Sequence, residues 1–157
     1  MKKNNIYLIK IIILFCFFLF LASKSFANES RSFLSLKNDK VNLRKGPSFD
    51  HPIEFVYKKK NLTVYVIDSF ETFRKIKDFE NNTGWIHVSQ LSVKKSAINN
   101  KNNSIVYKRP TIYSKPIVKL EKGRLVLIKK CKQVWCKITT GEYKGWIQKK
   151  YLWGKIE

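Results

Sequence analysis

Phe73-Arg74-Lys75-Ile76 runs through the turn Glu80-Asn81-Asn82-Thr83 into Gly84-Trp85-Ile86 and, after four further residues, reaches Leu91. The same pattern returns as Trp135-Cys136-Lys137-Ile138, the turn Thr140-Gly141-Glu142-Tyr143-Lys144, Gly145-Trp146-Ile147 and Leu152. The two glycines of these motifs stand 61 residues apart. That period is too long for a solenoid and suits two copies of one small domain. Each copy would hold roughly 50 residues, near the lower limit that one hydrophobic core can stabilise.

Outward from this hairpin, the pattern is that of strands. Val41-Asn42-Leu43-Arg44 alternates apolar and polar before Lys45-Gly46-Pro47-Ser48 breaks it. Ile53 to Tyr57 and Leu62 to Ile67 are rich in β-branched and aromatic residues, and Phe73 to Phe79 alternates. With Trp85 to Val88, these make five short strands separated by turns, as in a small barrel. The second copy predicts strands at Ile105–Lys108, Ile117–Leu120, Arg124–Lys129, Trp135–Thr139 and Gly145–Gln148. No apolar residues after position 27 recur at helical spacing. Residues 28–40 read as a flexible lead and the Asn-, Lys- and Ser-rich 92–104 as a linker, so that the barrels span 41–91 and 105–157.

The N-terminus reads as a targeting segment. Lys2 and Lys3 precede an apolar run from Ile11 to Ala22, and Ser25-Phe26-Ala27 places small residues at −3 and −1 of a cleavage site. That is the layout of a signal peptide over 1–27, so the protein is expected to be exported to a periplasm. An uncleaved anchor in the inner membrane is the other reading. Cys16 lies within the apolar run, not after a lipobox.

Removing the four lysines of the leader from 32 basic residues, against 11 acidic ones, leaves a net charge of +17. Such a field attracts polyanions and anionic surfaces. For an exported protein these are envelope polymers and lipid head groups, with no nucleic acid in reach. Compositional bias toward lysine accounts for the same excess, and the two readings stand level.

Cys131 and Cys136 are then the two remaining cysteines. In an oxidising compartment an even pair reads first as a disulfide, here across a hairpin with a four-residue loop. Half of a zinc site is the alternative, needing His51 and His87 from the first copy.

The opening Val41-Asn42-Leu43-Arg44-Lys45-Gly46-Pro47-Ser48 and the closing Gly84-Trp85-Ile86 hairpin resemble the bacterial SH3-like (SH3b) domain. The second copy keeps the closing hairpin and the turn Glu121-Lys122-Gly123, but Val106-Tyr107-Lys108-Arg109-Pro110 lacks the glycine of the opening. The resemblance implies an all-β fold of two tandem SH3-like barrels, as in short secreted proteins with two such repeats. It further implies binding of peptidoglycan or cell-wall peptide, or else an adaptor role toward an envelope enzyme or membrane complex.

Aromatic side chains stack on sugars or extended peptides with little entropy loss. The rim candidates are Tyr57, Phe73, Tyr107, Tyr113, Trp135, Tyr151 and Trp153, several of which suit a core equally well. Trp85 and Trp146 are also candidates, although closing the ends of the barrels is the first role expected of them. Tyr57 is favoured because Lys58-Lys59-Lys60 follows it. The Gly46-Pro47 loop directs most of the recognition to the first copy.

Catalytic patterns are missing. Asp78 and Glu80 read as a solvated pair beside a turn, and the histidines lack metal-ligand spacing. There is no G-x-S-x-G, P-loop or dinucleotide fingerprint. A non-enzyme without cofactor or metal is expected.

Overall fold

The computed structural model describes residues 31–156, and the leader read over 1–27 lies outside them. Among the described residues, fourteen strands form two antiparallel sheets. The first holds β1 (Phe33–Leu36), β2 (Val41–Arg44), β3 (Ile53–Tyr57), β4 (Thr63–Phe70), β5 (Phe73–Lys77), β6 (Thr83–His87) and β7 (Leu91–Ser92). The second holds β8 (Ser96–Asn99), β9 (Ser104–Tyr107), β10 (Pro116–Leu120), β11 (Leu125–Lys132), β12 (Trp135–Thr140), β13 (Tyr143–Gln148) and β14 (Leu152–Gly154). The spatial order β3-β2-β6-β5-β4-β1-β7 is repeated seven strands later as β10-β9-β13-β12-β11-β8-β14. The chain is therefore all-β with two tandem barrels of one topology. The only helical turns among the described residues are the 3-10 segments Val88–Gln90 and Lys149–Tyr151.

Each barrel has seven strands rather than five: the segments read as lead and linker carry β1 and β8, and a short strand, β7 or β14, follows each 3-10 turn. Phe33–Leu36 pairs with both β4 and β7, burying Ser35 and Leu36. Ser96–Asn99 pairs with β11 and β14 and is buried throughout. The flexible lead over 28–40 and the linker over 92–104 are corrected accordingly, and residues 28–30 of that lead lie outside the described residues. Their composition misleads because the polar side chains are buried with partners distant in the chain: Ser35 donates to the Ser92 carbonyl, Ser96 bonds Thr63, and Asn99 donates to the carbonyls of Leu120 and Glu121.

Alternation decides which faces form the cores. Val41 and Leu43 of β2, Ile76 of β5 and Ile86 of β6 point inward and join Leu36, Val64 and Val66. Val106, Val126, Ile138 and Ile147 do the same in the second barrel, with Cys136. Burying each such aliphatic side chain contributes about 2 kcal/mol. Because successive residues face opposite sides, Trp85 and Trp146 point outward, beside Ile86 and Ile147, and are only half-buried. The expectation that they close the barrel ends is corrected. The glycine before each tryptophan has a different role from passing a ring. A Cβ at Gly84 would lie 2.6 Å from Leu43 Cγ and 2.9 Å from the Arg44 carbonyl oxygen, and one at Gly145 2.6 Å from Val106 Cγ1. Glycine thus admits the close crossing of β6 over β2, and of β13 over β9.

The two barrels form one compact unit. Thr63 and Ser96, both buried, share a hydroxyl–hydroxyl hydrogen bond of 2.8 Å across the junction. Trp153 packs edge-on against Phe33 and Phe79 from the first barrel.

Cys131 and Cys136 are directly opposed on β11 and β12, with Cα atoms 4.0 Å apart, and are disulfide-bonded. Lys132 and Trp135 also pair, so the turn holds two residues, Gln133 and Val134, and not the four expected. Gln133 takes a positive φ of 46°, as Glu71 does at the matching turn of the first barrel. The bond faces the core at the mouth of the second barrel, where Cys136 is fully buried.

Candidate functional site

The outer face of the first barrel is assembled from β2, β5, β6 and the loop after β2. Cross-strand register places Arg44 opposite Trp85, Lys75 opposite Trp85, and Phe73 opposite both His87 and Phe70. The loop is closed by a hydrogen bond from the Lys45 amide to the Pro52 carbonyl, 3.1 Å. Gly46 lies flat on the His51 ring, which a Cβ there would overlap. The Arg44 guanidinium donates to the carbonyls of Phe49 (2.9 Å) and His51 (2.7 Å), and stands 5.5 Å from the centre of the Phe49 ring. Braced in this way, Phe49 packs 5.2 Å from Phe73 and 5.0 Å from His87, which are themselves 5.1 Å apart. His87 is oriented by Ser89, whose hydroxyl lies 2.7 Å from Nδ1. Phe73 is the buried floor of this shelf, while Phe49 is 60% and Phe70 52% exposed.

The second barrel repeats the face with other residues. Tyr107 stands opposite Trp146, as Arg44 stands opposite Trp85, and Trp135 stands opposite Gln148, as Phe73 stands opposite His87. Tyr107 and Trp135 meet edge to face at 5.7 Å. Tyr151, on the 3-10 turn, lies beneath Lys101 Nζ (4.8 Å) and Lys150 Nζ (5.1 Å). Between Tyr107, Ile112, Gln148 and Tyr151 is a cavity of about 190 Å³. The side-chain oxygen of Gln148 is buried there without a hydrogen-bond partner.

Four of the residues selected from sequence, Tyr107, Trp135, Trp146 and Tyr151, thus share one face, and Phe73 and Trp85 share its counterpart. Tyr57 does not belong to either. Its ring is mostly buried and its hydroxyl donates to Asp78 Oδ2 at 3.0 Å, so it is no part of the ring shelves and packs in the core instead, reaching the surface only at the lining of a groove beside Lys58 and Lys59. Burial, then the charge of Asp78 and the hydrogen bond to it, raise the Tyr57 hydroxyl far above its ordinary range. Trp153 is a junction residue, and Tyr113 projects into solvent. The structure adds Phe49, Phe70 and Arg44 to the site; Phe49 directly follows the Gly46-Pro47-Ser48 break that marks a loop.

Asp78 is not a solvated partner of Glu80. It is buried and accepts from the amides of Glu80 and Asn82, from the Asn82 side chain and from Tyr57, so it organises the β5–β6 turn. Ser48 Oγ lies 2.9 Å from His51 Nδ1, a spacing seen in nucleophile–base pairs, but Asp50 approaches the serine and not the histidine. A triad needs the carboxylate to orient the base; here the three residues lock a loop. Among the described residues no three His, Cys, Asp or Glu side chains are grouped to hold a metal ion. What both faces offer is a ring floor with hydrogen-bonding groups and cations at its margin, suited to stacking on a flat or extended ligand.

The family profile described as "Bacterial SH3 domain" matches residues 37–92 and 100–154. The chain belongs to the bacterial SH3 domain family, twice over. Domains of this family are typically cell-wall binding modules. Among curated proteins none matches the chain. Two solved structures from Trichomonas vaginalis are similar. NlpC2 is 15% identical, with a TM-score of 0.36, over 82% of this chain and 50% of that one. NlpC1 is 16% identical, with a TM-score of 0.36, over 86% of this chain and 50% of that one. This chain thus spans half the length of each.

Proposed function

We propose that the protein is a non-catalytic module of the periplasm that binds peptidoglycan through its cell-wall peptide. The observation that carries this reading is the shelf of Phe49, Phe73 and His87, braced by Arg44 and open on one side. An extended stem peptide lays its apolar and planar groups on such rings, and its carboxylates meet the lysines and arginine around them. The matching loop of the second barrel, closed by the Lys108 amide on the Lys115 carbonyl (3.0 Å), carries the aliphatic Ile112 where the first carries Phe49, so the first barrel contributes most of the recognition and the second face adds a weaker contact. Co-sedimentation with purified sacculi tests this. The protein is expected to pellet with sacculi even at high salt, where Phe49→Ala should remain in the supernatant while still folded. Failure of the unaltered protein to pellet would turn the reading to an adaptor for an envelope enzyme.

A further inference from the structure

The junction between the barrels holds a groove that neither ring shelf uses. Its two adjoining parts, of about 380 Å³ and about 680 Å³, share Phe79, Glu80 and Gly123. That size and a position between domains are usual for small-ligand sites. The wider part draws Phe79, Glu80 and Asn81 from the first barrel and Asn100, Asn102 and Lys122 from the second. Both sides are held in place by the Thr63–Ser96 hydrogen bond and by Trp153, 5.7 Å from Phe79.

The chemistry of this part is specific. All of its residues lie in turns between strands, so this part offers no strand edge to extend a ladder along a peptide backbone, unlike the narrower part, which the edge strand β3 lines. Two amides are fixed by one half and present the other. Asn102 Oδ1 accepts from the Lys122 amide (3.0 Å), which leaves its NH₂ group without a protein partner among the described residues. The Asn100 NH₂ donates to the Lys150 carbonyl (3.3 Å), which leaves its oxygen as an acceptor. A donor and an acceptor side by side match neighbouring hydroxyl or acetamido groups. The Phe79 ring supplies an apolar wall for a sugar face. At Gly123 a Cβ would meet nothing within 4 Å, so the groove is open above the backbone there.

We infer that this groove is a second binding site, and that its ligand is a glycan, a chain of N-acetylated sugars. The inference rests on the cell-wall reading above and deepens it, assigning peptide to the ring shelves and sugar to the junction.

The test titrates chitotetraose, a β-1,4-linked N-acetylglucosamine tetramer, into the ¹⁵N-labelled protein up to about 10 mM, enough to reveal a millimolar site. Saturable shifts are expected at the amides of Phe79, Asn100, Asn102 and Gly123. Gly123→Asn places a side chain in the groove while keeping a residue that tolerates positive φ. Asn100→Ala deletes one exposed acceptor without touching the core. Each is expected to weaken binding by about tenfold or more, the effect of one unsatisfied polar contact. Absence of shifts, shifts confined to the Phe49 and Tyr107 faces, or unchanged affinity in both variants would overturn the site. Sacculus binding that survives Gly123→Asn but is lost with Phe49→Ala would leave the peptide reading intact while a failed titration removes the glycan site.

Discussion

Phe33, at the start of the first barrel, and Trp153, in the last strand of the second, stand edge to face with ring centroids 5.0 Å apart and planes at 85°. Tyr65 packs on the other side of Phe33 at 4.8 Å, and Phe79 on the other side of Trp153 at 5.7 Å. Four rings thus bridge the barrels. Trp153→Ala removes the central one and should lower stability by about 3 kcal/mol. Calorimetry is expected to show one cooperative transition for the unaltered protein and two, of unequal Tm, for the variant. A single transition in the variant would mean that the rings do not couple the barrels.

Tyr57 predicts a pH dependence with a definite sign. The folded protein raises its hydroxyl pKa through burial and the neighbouring Asp78, whereas the unfolded chain ionises near pH 10. The stabilisation is fully present below about pH 10 and is lost above it, as the unfolded state releases its proton first. Tyr57→Phe should cost about 1 kcal/mol at neutral pH through the lost hydrogen bond. It should also flatten the alkaline decline. Urea unfolding of both proteins at neutral and alkaline pH measures the difference, and parallel declines would show that Tyr57 does not titrate with unfolding.

The disulfide closes a very short loop, and in the chain-entropy model even this restricts the unfolded chain by about 2 kcal/mol. Replacing both Cys131 and Cys136 by alanine should lower stability under non-reducing conditions by that amount, measured as a fall in the thermal midpoint. The first barrel should be unaffected, so the resonances of the Phe49 ring should not move. Movement there would show that the staple acts across the junction.

Phe49 and Phe73 touch, yet their truncations should separate. Phe73 is buried, and Phe73→Ala is expected to cost about 3 kcal/mol of stability. Phe49→Ala, at an exposed ring, should cost less than about 1 kcal/mol and still abolish the part of sacculus binding that survives at high salt. Charge contacts fade as the Debye length drops below about 8 Å, whereas ring stacking does not. Binding lost entirely at roughly 0.5 M salt in the unaltered protein would mean simple ion exchange.

Much of the fold is legible in sequence because alternation is a local property. Val41 and Leu43, Ile76, Ile86, Ile138 and Ile147 all face the cores that their period-two pattern implies. The outward orientation of Trp85 and Trp146 follows from the same rule, once Ile86 and Ile147 are given the interior. The strands at Phe33–Leu36 and Ser96–Asn99 are not legible, since their polar residues are buried against hydrogen-bond partners distant in the chain and not by an alternating pattern.

The sites divide in the same way. The repeated glycine-tryptophan hairpin, the Gly46-Pro47 loop and the two cysteines are enough, as sequence, to establish two small β-barrels of one family with a staple in the second. They say nothing of which aromatic rings meet. Tertiary structure alone sets Phe49 on Phe73 and His87, turns Tyr57 inward onto Asp78, and brings Asn100 and Asn102 to face Phe79 across the junction. The physical reason is range. Strand period and turn chemistry act between neighbours in the chain, whereas a binding surface is made by residues tens of positions apart, whose contacts depend on strand register and on how one barrel packs against the other.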